Sequence, residues 1–179
     1  MGSVWRDARS IADLGQNMAG WLEGTVPSWP GYGADFGYEE DVDVRHLIPV
    51  LAAANRAGFV TTCSQPATDN GRGSRQRAFV EGIVHDRSPL LSRLLGLERQ
   101  GFTVIRGSRT PHVVLTEQDG QPFTTLGYRL PRDWKAREWQ GVGRHALREL
   151  RQHGTTLNIV DMTWGRDDRL WPALANAIR

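Results

Sequence analysis

Apolar residues recur at helical spacing over residues 10–23, where Ile11, Leu14, Met18, Trp21 and Leu22 fall on one side and Ser10 is placed to cap the first turn. A second helical span covers 44–57 and stops at Gly58, a residue type suited to the position after a helix. Pro49 lies inside that span. Either the helix starts near Ile48, with the proline in its first turn, or it kinks there. Residues 59–63 are β-branched and aromatic and read as a strand, ended by Ser64-Gln65-Pro66. A Gly-rich loop over 67–74 separates it from a second strand over 76–84. A helix over 88–100 and a strand over 103–106 follow. Residues 112–116 and 123–128 read as a hairpin about Asp119-Gly120. The spacing predicts a long helix over 134–153, a strand over 156–161 and a closing helix over 169–178.

The stretch 25–43 breaks this rhythm. It holds Trp29, Pro30, Gly31, Tyr32, Gly33, Phe36, Gly37 and Tyr38, and it ends in the acidic run Glu39-Glu40-Asp41-Val42-Asp43. It is too long for an idle connector. Its composition suits a lid over a ligand or an Ω-loop packed on itself. The alternation of strands and helices around a hairpin predicts one α/β (α+β) domain, a mixed β-sheet with helices packed on it.

Composition removes several function classes. With 39% hydrophobic and 23% charged residues, the 179-residue chain can bury a core. Its 22 basic and 20 acidic residues give a net charge of +2, too near neutral to argue for nucleic acid. Lys135 is the one lysine, and no run of five or more basic residues occurs. No apolar stretch approaches the roughly 18 residues of a membrane span. The first residues, 1–17, show no signal-peptide core. The expectation is a cytoplasmic protein without membrane or nucleic-acid partners. A single cysteine, Cys63, excludes a disulfide framework and a cysteine zinc site.

Familiar catalytic motifs are missing from the sequence: there is no P-loop, no G-x-G-x-x-G after a strand, no H-E-x-x-H and no G-x-S-x-G. Gly71-Arg72-Gly73 lacks the lysine and helix of a phosphate cradle. The histidines His46, His85, His112, His145 and His153 show no metal-ligand spacing, so no metal is expected. Cys63 reads as a small packed thiol. Two strand ends carry polar groups where ligands of α/β sheets collect: Thr61-Thr62-Cys63-Ser64-Gln65-Pro66, and Asp161 after Leu157-Asn158-Ile159-Val160. Turn chemistry, with Ser and Asp capping the next element, is the alternative for both.

These segments carry a resemblance. Asn55-Arg56-Ala57-Gly58-Phe59-Val60-Thr61-Thr62-Cys63-Ser64-Gln65-Pro66, then Gln76-Arg77-Ala78-Phe79-Val80-Glu81, then Leu157-Asn158-Ile159-Val160-Asp161 with Trp171 in register, follow one another in order. In this the chain resembles the C-terminal regulatory domain of eukaryotic-type methylenetetrahydrofolate reductase, which binds S-adenosylmethionine. The resemblance covers about 43–178. It divides the chain into an N-terminal helix and loop over 1–42 and a binding-like domain over 43–179. Nothing here matches the reductase's flavin barrel, so neither folate reduction nor a flavin is expected.

The resemblance implies an adenosyl site. A Glu-Thr pair of the family falls on Asp43 and Val44, which keeps the carboxylate and loses the hydroxyl. Thr61 and Ser64 match the Thr and Ser of the strand motif. Two hairpin threonines fall on Thr116 and Thr124, with Thr125 an equal alternative to Thr124. The residue types suit such a ligand: Asp43 for ribose hydroxyls, Thr61, Ser64 and Gln65 for the methionyl carboxylate and ammonium, and Asp161, Glu81 or the Trp29 and Tyr32 rings for a sulfonium. The implied function is a stand-alone module that binds S-adenosylmethionine or S-adenosylhomocysteine, with a partner protein or a homodimer as its output. The alternative is a small enzyme acting on that ligand. It would catalyse cyclisation, elimination or lyase-type cleavage to methylthioadenosine, or methyl transfer, with Asp43, Glu81 or Asp161 as base and His85 behind them. A third reading is an interaction module that keeps the fold without the site.

Overall fold

The computed structural model describes residues 4–28, 42–107, 112–126 and 138–179, with backbone alone for Val42 and Asp43. Residues 29–41 of the lid segment, Trp29 and Tyr32 included, residues 127–128 of the predicted hairpin and the predicted helix residues 134–137 lie outside the described residues.

The chain opens with a short helix α1 (Val4–Asp7) and with α2 (Ile11–Leu22). Ser10 caps α2 as the spacing predicts. Its hydroxyl accepts from the Asp13 N–H at 3.1 Å, and the Asp13 carboxylate accepts from the Ser10 N–H at 3.1 Å. A 3-10 helix (Val42–Leu47) runs into α3 (Ile48–Arg56), with Pro49 in the first turn, where its missing N–H costs no bond. Gly58, at φ +98°, turns the chain into β1 (Phe59–Gln65).

β2 (Thr68–Asp69), β3 (Ser74–Gln76) and β4 (Phe79–His85) follow. The single strand expected over 76–84 is thus two. The break has a physical cause: the Arg77 N–H donates to the Leu115 carbonyl, while the Ala78 carbonyl accepts from Asp161 N–H. At this point the chain passes from one sheet to another. α4 (Pro89–Leu95), capped by Ser88, tightens into a 3-10 turn (Gly96–Gln100), so the predicted 88–100 helix is α-helical only in its first half. β5 (Thr103–Arg106), β6 (Val113–Gln118) and β7 (Gln121–Leu126) lie close to their expected places. The β6–β7 turn puts Asp119 and Gly120 at φ +52° and +75°, as a tight hairpin requires.

α5 (Arg144–His153), β8 (Gly154–Val160) and α6 (Leu170–Ala177) complete the chain. Of the long helix expected over 134–153, Arg144–His153 is one continuous helix, and the described residues just before it turn. Gly141, at φ +87°, breaks the run. Gly143 N–H bonds the Trp5 carbonyl at 2.8 Å, and a Cβ on Gly143 would lie 1.9 Å from the Ala8 carbonyl oxygen. α5 can therefore begin only after the chain has passed beneath α1.

The architecture is α+β, with strands divided between two four-stranded sheets, ordered β1-β4-β8-β5 and β2-β3-β6-β7. Every described pairing is antiparallel. The main core joins Trp5, Leu14 and Met18 of the N-terminal helices to Leu51, Phe59, Val60, Leu94, Leu157, Ile159 and Leu174. α2 approaches α3 closely because position 15 has no side chain: a Cβ there would lie 2.3 Å from the Asn55 carbonyl oxygen. A smaller cluster joins Phe79, Ile105 and Val160 of the first sheet to Val113 and Leu115 of the second, which seats the hairpin against the first sheet. Among the described residues, no helix is long and apolar enough to cross a membrane.

Candidate functional site

The site begins with a bulge. Thr61 pairs with Gly82, and the next pair is Cys63 with Glu81, so Thr62 is an extra residue in β1. Residues directly opposite one another share a sheet face. Thr61 and Ser64 therefore sit with Gly82 and Val80 on one face. Cys63 and Gln65 sit with Glu81 and Phe79 on the other.

Thr61 is 6% exposed and is engaged by Asn55, which is fully buried. The Asn55 amide donates to the Thr61 hydroxyl at 2.7 Å and to the Leu51 carbonyl at 2.8 Å, and its oxygen accepts from the Thr61 N–H at 3.0 Å. The first residue of the motif block is thus a clamp between α3 and β1. Thr61 is a member of that clamp rather than an outward-facing group.

Beyond Ser64 the chain crosses to the second sheet. The Gln65 amide donates to the Arg77 carbonyl at 3.0 Å, and the Gln76 amide donates to the Pro66 carbonyl at 2.5 Å. Gln76 stands opposite Thr68 on one side and Thr116 on the other, and Thr116 stands opposite Thr124. A polar row, Thr68-Gln76-Thr116-Thr124, therefore runs from the end of the Ser64-Gln65-Pro66 segment across the second sheet. Thr125 pairs instead with Val114, so the register selects Thr124 as the partner of Thr116. The Thr116 hydroxyl is buried and has no hydrogen-bond partner among the described residues. Arg77 braces the crossing: its guanidinium donates to the Val114 and Met162 carbonyls and lies 3.9 Å from the Trp164 ring centre.

Asp161 and Asp43 do not join this row by any described contact. Asp161 is 1% exposed. One of its oxygens accepts from Thr163 N–H at 3.0 Å, and the other lies 3.9 Å from the Arg169 guanidinium. It caps the turn after β8, which is the turn-chemistry reading. The Asp43 side chain lies outside the described atoms, but its 3-10 helix is anchored. Asp167 accepts from His46 Nε2 at 2.8 Å, from the Ala67 N–H at 2.7 Å and from the Trp171 indole at 2.8 Å. Trp171 thereby holds a carboxylate that ties this helix, the β1–β2 link and α6 together. No sequence signal marks Asp167 for that role.

A second polar group occupies the opposite face of β1. Thr62 Oγ1 donates to Glu81 at 2.8 Å. Glu81 stands opposite Asn158, which is 4% exposed and whose side-chain oxygen has no partner among the described residues. Desolvation and the Glu81 charge push the Glu138 carboxyl up to about 7. Cys63 lies on the exposed stretch of β1 and is not the packed thiol its sequence context suggests, because the bulge at Thr62 carries it out of the core; desolvation by neighbouring atoms, with the Glu81 and Glu138 charges, still pushes its thiol up to about 11. Cys63 is therefore a protonated thiol at neutral pH, not a nucleophile. Glu81 alone of this group was visible in the sequence as a candidate.

The fold also brings His153 to the adjacent pair His85 and Asp86. The two imidazoles stack with centres 5.1 Å apart, and Asp86 lies 3.3 and 3.4 Å from their Nδ1 atoms. His85 Nδ1 accepts from the Arg87 N–H at 3.1 Å, so its lone pair is already engaged.

A family model described as a domain of unknown function, DUF6919, matches residues 1–179, and the chain belongs to that family. No curated protein matches the chain.

Proposed function

We propose that this chain binds S-adenosylmethionine or S-adenosylhomocysteine as a stand-alone module. The observation that carries the reading is the Thr116 hydroxyl, which is buried, without a hydrogen-bond partner among the described residues and directly opposite Thr124. A buried hydroxyl left unpaired costs about 1–3 kcal/mol, and a polar ligand would recover that. The resemblance implies these two threonines together with Ser64. Support for joining them comes from the Gln76 amide, which links the Thr116 row to Pro66 at the end of the Ser64 segment. In this reading Ser64, Thr116 and Thr124 contact the ligand, Asp43 takes the ribose hydroxyls, and Gln65 holds the crossing in place. Thr61 is a positioning residue that acts through Asn55. Isothermal titration with S-adenosylmethionine tests it. Thr116→Val and Ser64→Ala should each weaken binding about tenfold, the equivalent of one lost hydrogen bond of about 1.4 kcal/mol. Unchanged affinity in both variants would place the ligand elsewhere or remove it.

A further inference from the structure

We propose that the arginine stripe of α5, made of Arg144, Arg148 and Arg151, is a docking surface for an acidic amphipathic helix of a second protein. α5 turns Ala146 and Leu150 into the core and leaves Arg144, Arg148, Arg151 and Gln152 exposed, with Leu147 half-buried. Spacings of four and three residues put the three arginines on one side of the helix, over about 10 Å of its length. An open depression of about 550 Å³ lies there, lined by Arg144, Leu147, Arg148, Arg151 and Gln152, with no acidic residue among its described walls. Among the described residues Arg144 and Arg151 form no hydrogen bond or ion pair, and the Arg148 guanidinium has one partner, His145 Nδ1 at 3.0 Å.

α5 itself offers the stripe no counter-charge. Glu149, the one acid of α5, is occupied elsewhere: it accepts from the Ile11 N–H at 2.9 Å and lies 3.5 Å from His85 Nε2. It stands five residues after Arg144, one after Arg148 and two before Arg151, and none of these spacings makes neighbours on a helix. Arg144 with Arg148, and Arg148 with Arg151, are instead like-charge neighbours, an arrangement that weakens an isolated helix. Carboxylates repeated every three to four residues meet such a stripe charge for charge, and that is the repeat of a helix lying alongside it. Each guanidinium takes a carboxylate through a two-bond fork, and an apolar residue between the carboxylates covers Leu147. A second copy of this chain does not fit. Among the described residues, no helix carries two acidic residues three or four apart. The surface does not depend on the adenosyl reading, which uses no residue of α5.

The probe is a fluorescein-labelled helical peptide with glutamates at alternating three- and four-residue spacing and leucines between them. Its anisotropy is followed as the folded protein is added at low ionic strength. The control peptide has the same composition in scrambled order. The expected result is saturable one-to-one binding of the patterned peptide, about tenfold tighter than of the scrambled one. Arg148→Glu should weaken it by about tenfold or more, the loss of a charge-assisted contact. The fold tolerates that change, because it places a carboxylate four residues after Arg144 and three before Arg151. Unchanged circular dichroism checks this. Arg72→Glu makes the same charge change on the exposed loop between β2 and β3 and should leave the affinity within about twofold. The proposal is overturned by no saturable binding, by equal affinity for the scrambled peptide, or by equal losses in Arg148→Glu and Arg72→Glu. Displacement of the peptide by stoichiometric tripolyphosphate would overturn it too, by making the stripe a site for phosphate.

Discussion

Replacing Asn55 with alanine should cost about 3–5 kcal/mol of stability, a large share of what a domain of this size has to lose. The side chain makes three hydrogen bonds in a fully buried position. Its removal leaves the Thr61 N–H without an acceptor, and a buried unpaired donor costs about 1–3 kcal/mol. The Thr61 hydroxyl loses its donor, worth about 1 kcal/mol. The space left behind adds about 1 kcal/mol more. The Leu51 carbonyl contributes little, because its helical bond remains. Thr61→Val is gentler, about 1–2 kcal/mol, because the Asn55 amide keeps its bond to Leu51. The two residues touch, so the double variant should fall short of the sum by about 1 kcal/mol. Urea unfolding followed by tryptophan fluorescence reads all three, with an unchanged slope as the sign that the same surface is exposed. In a thermal melt, Asn55→Ala should fall by about 10 °C. A loss under about 0.5 kcal/mol would refute the clamp and return Thr61 to the list of ligand-facing groups.

Other consequences can be checked separately. Asp167→Ala should destabilise by about 2–4 kcal/mol, since it removes the acceptor of three donors from three elements; Asp167→Asn should cost less in the same urea assay. Glu138, held up from 4.5 to about 7, binds its proton more tightly folded than unfolded. Its contribution is therefore full below pH 4.5 and is lost as pH rises through 7, by at most about 3 kcal/mol. Relative to Glu138→Gln, wild type should lose stability across that window, and parallel pH curves would contradict the burial of Glu138. Cys63, with its thiol near 11, should react with iodoacetamide at pH 8 on the order of 100-fold more slowly than free cysteine. A rate equal to that of the free thiol would show that the desolvating shell is missing.

Much of the secondary structure was legible because local rules agreed with the fold. Ser10 and Asp13 form the cap their spacing suggests, Pro49 sits where a first turn tolerates it, and Asp119-Gly120 makes the turn its residue types favour. Failures arose where tertiary contacts overrode the pattern. Residues 76–84 alternate like one strand, but the Arg77 N–H is recruited by Leu115 of another sheet. The stretch before α5 looks helical, but Gly143 is needed bare beneath Ala8. The candidate residues divided for a similar reason. The bulge at Thr62 puts Thr61 and Glu81 on opposite faces, and no spacing rule reveals a bulge from one sequence. Asp167 and Asn158 owe their roles to partners far along the chain, so nothing local marked them.

The adenosyl reading is tested most directly by equilibrium dialysis of the purified protein against S-adenosylmethionine, with mass spectrometry of both compartments. The account predicts that intact ligand concentrates with the protein, and that Thr116→Val reduces the excess about tenfold. A flat profile, with equal ligand on both sides, would contradict it. So would disappearance of the ligand with accumulation of methylthioadenosine, which would make the chain an enzyme instead of a binding module.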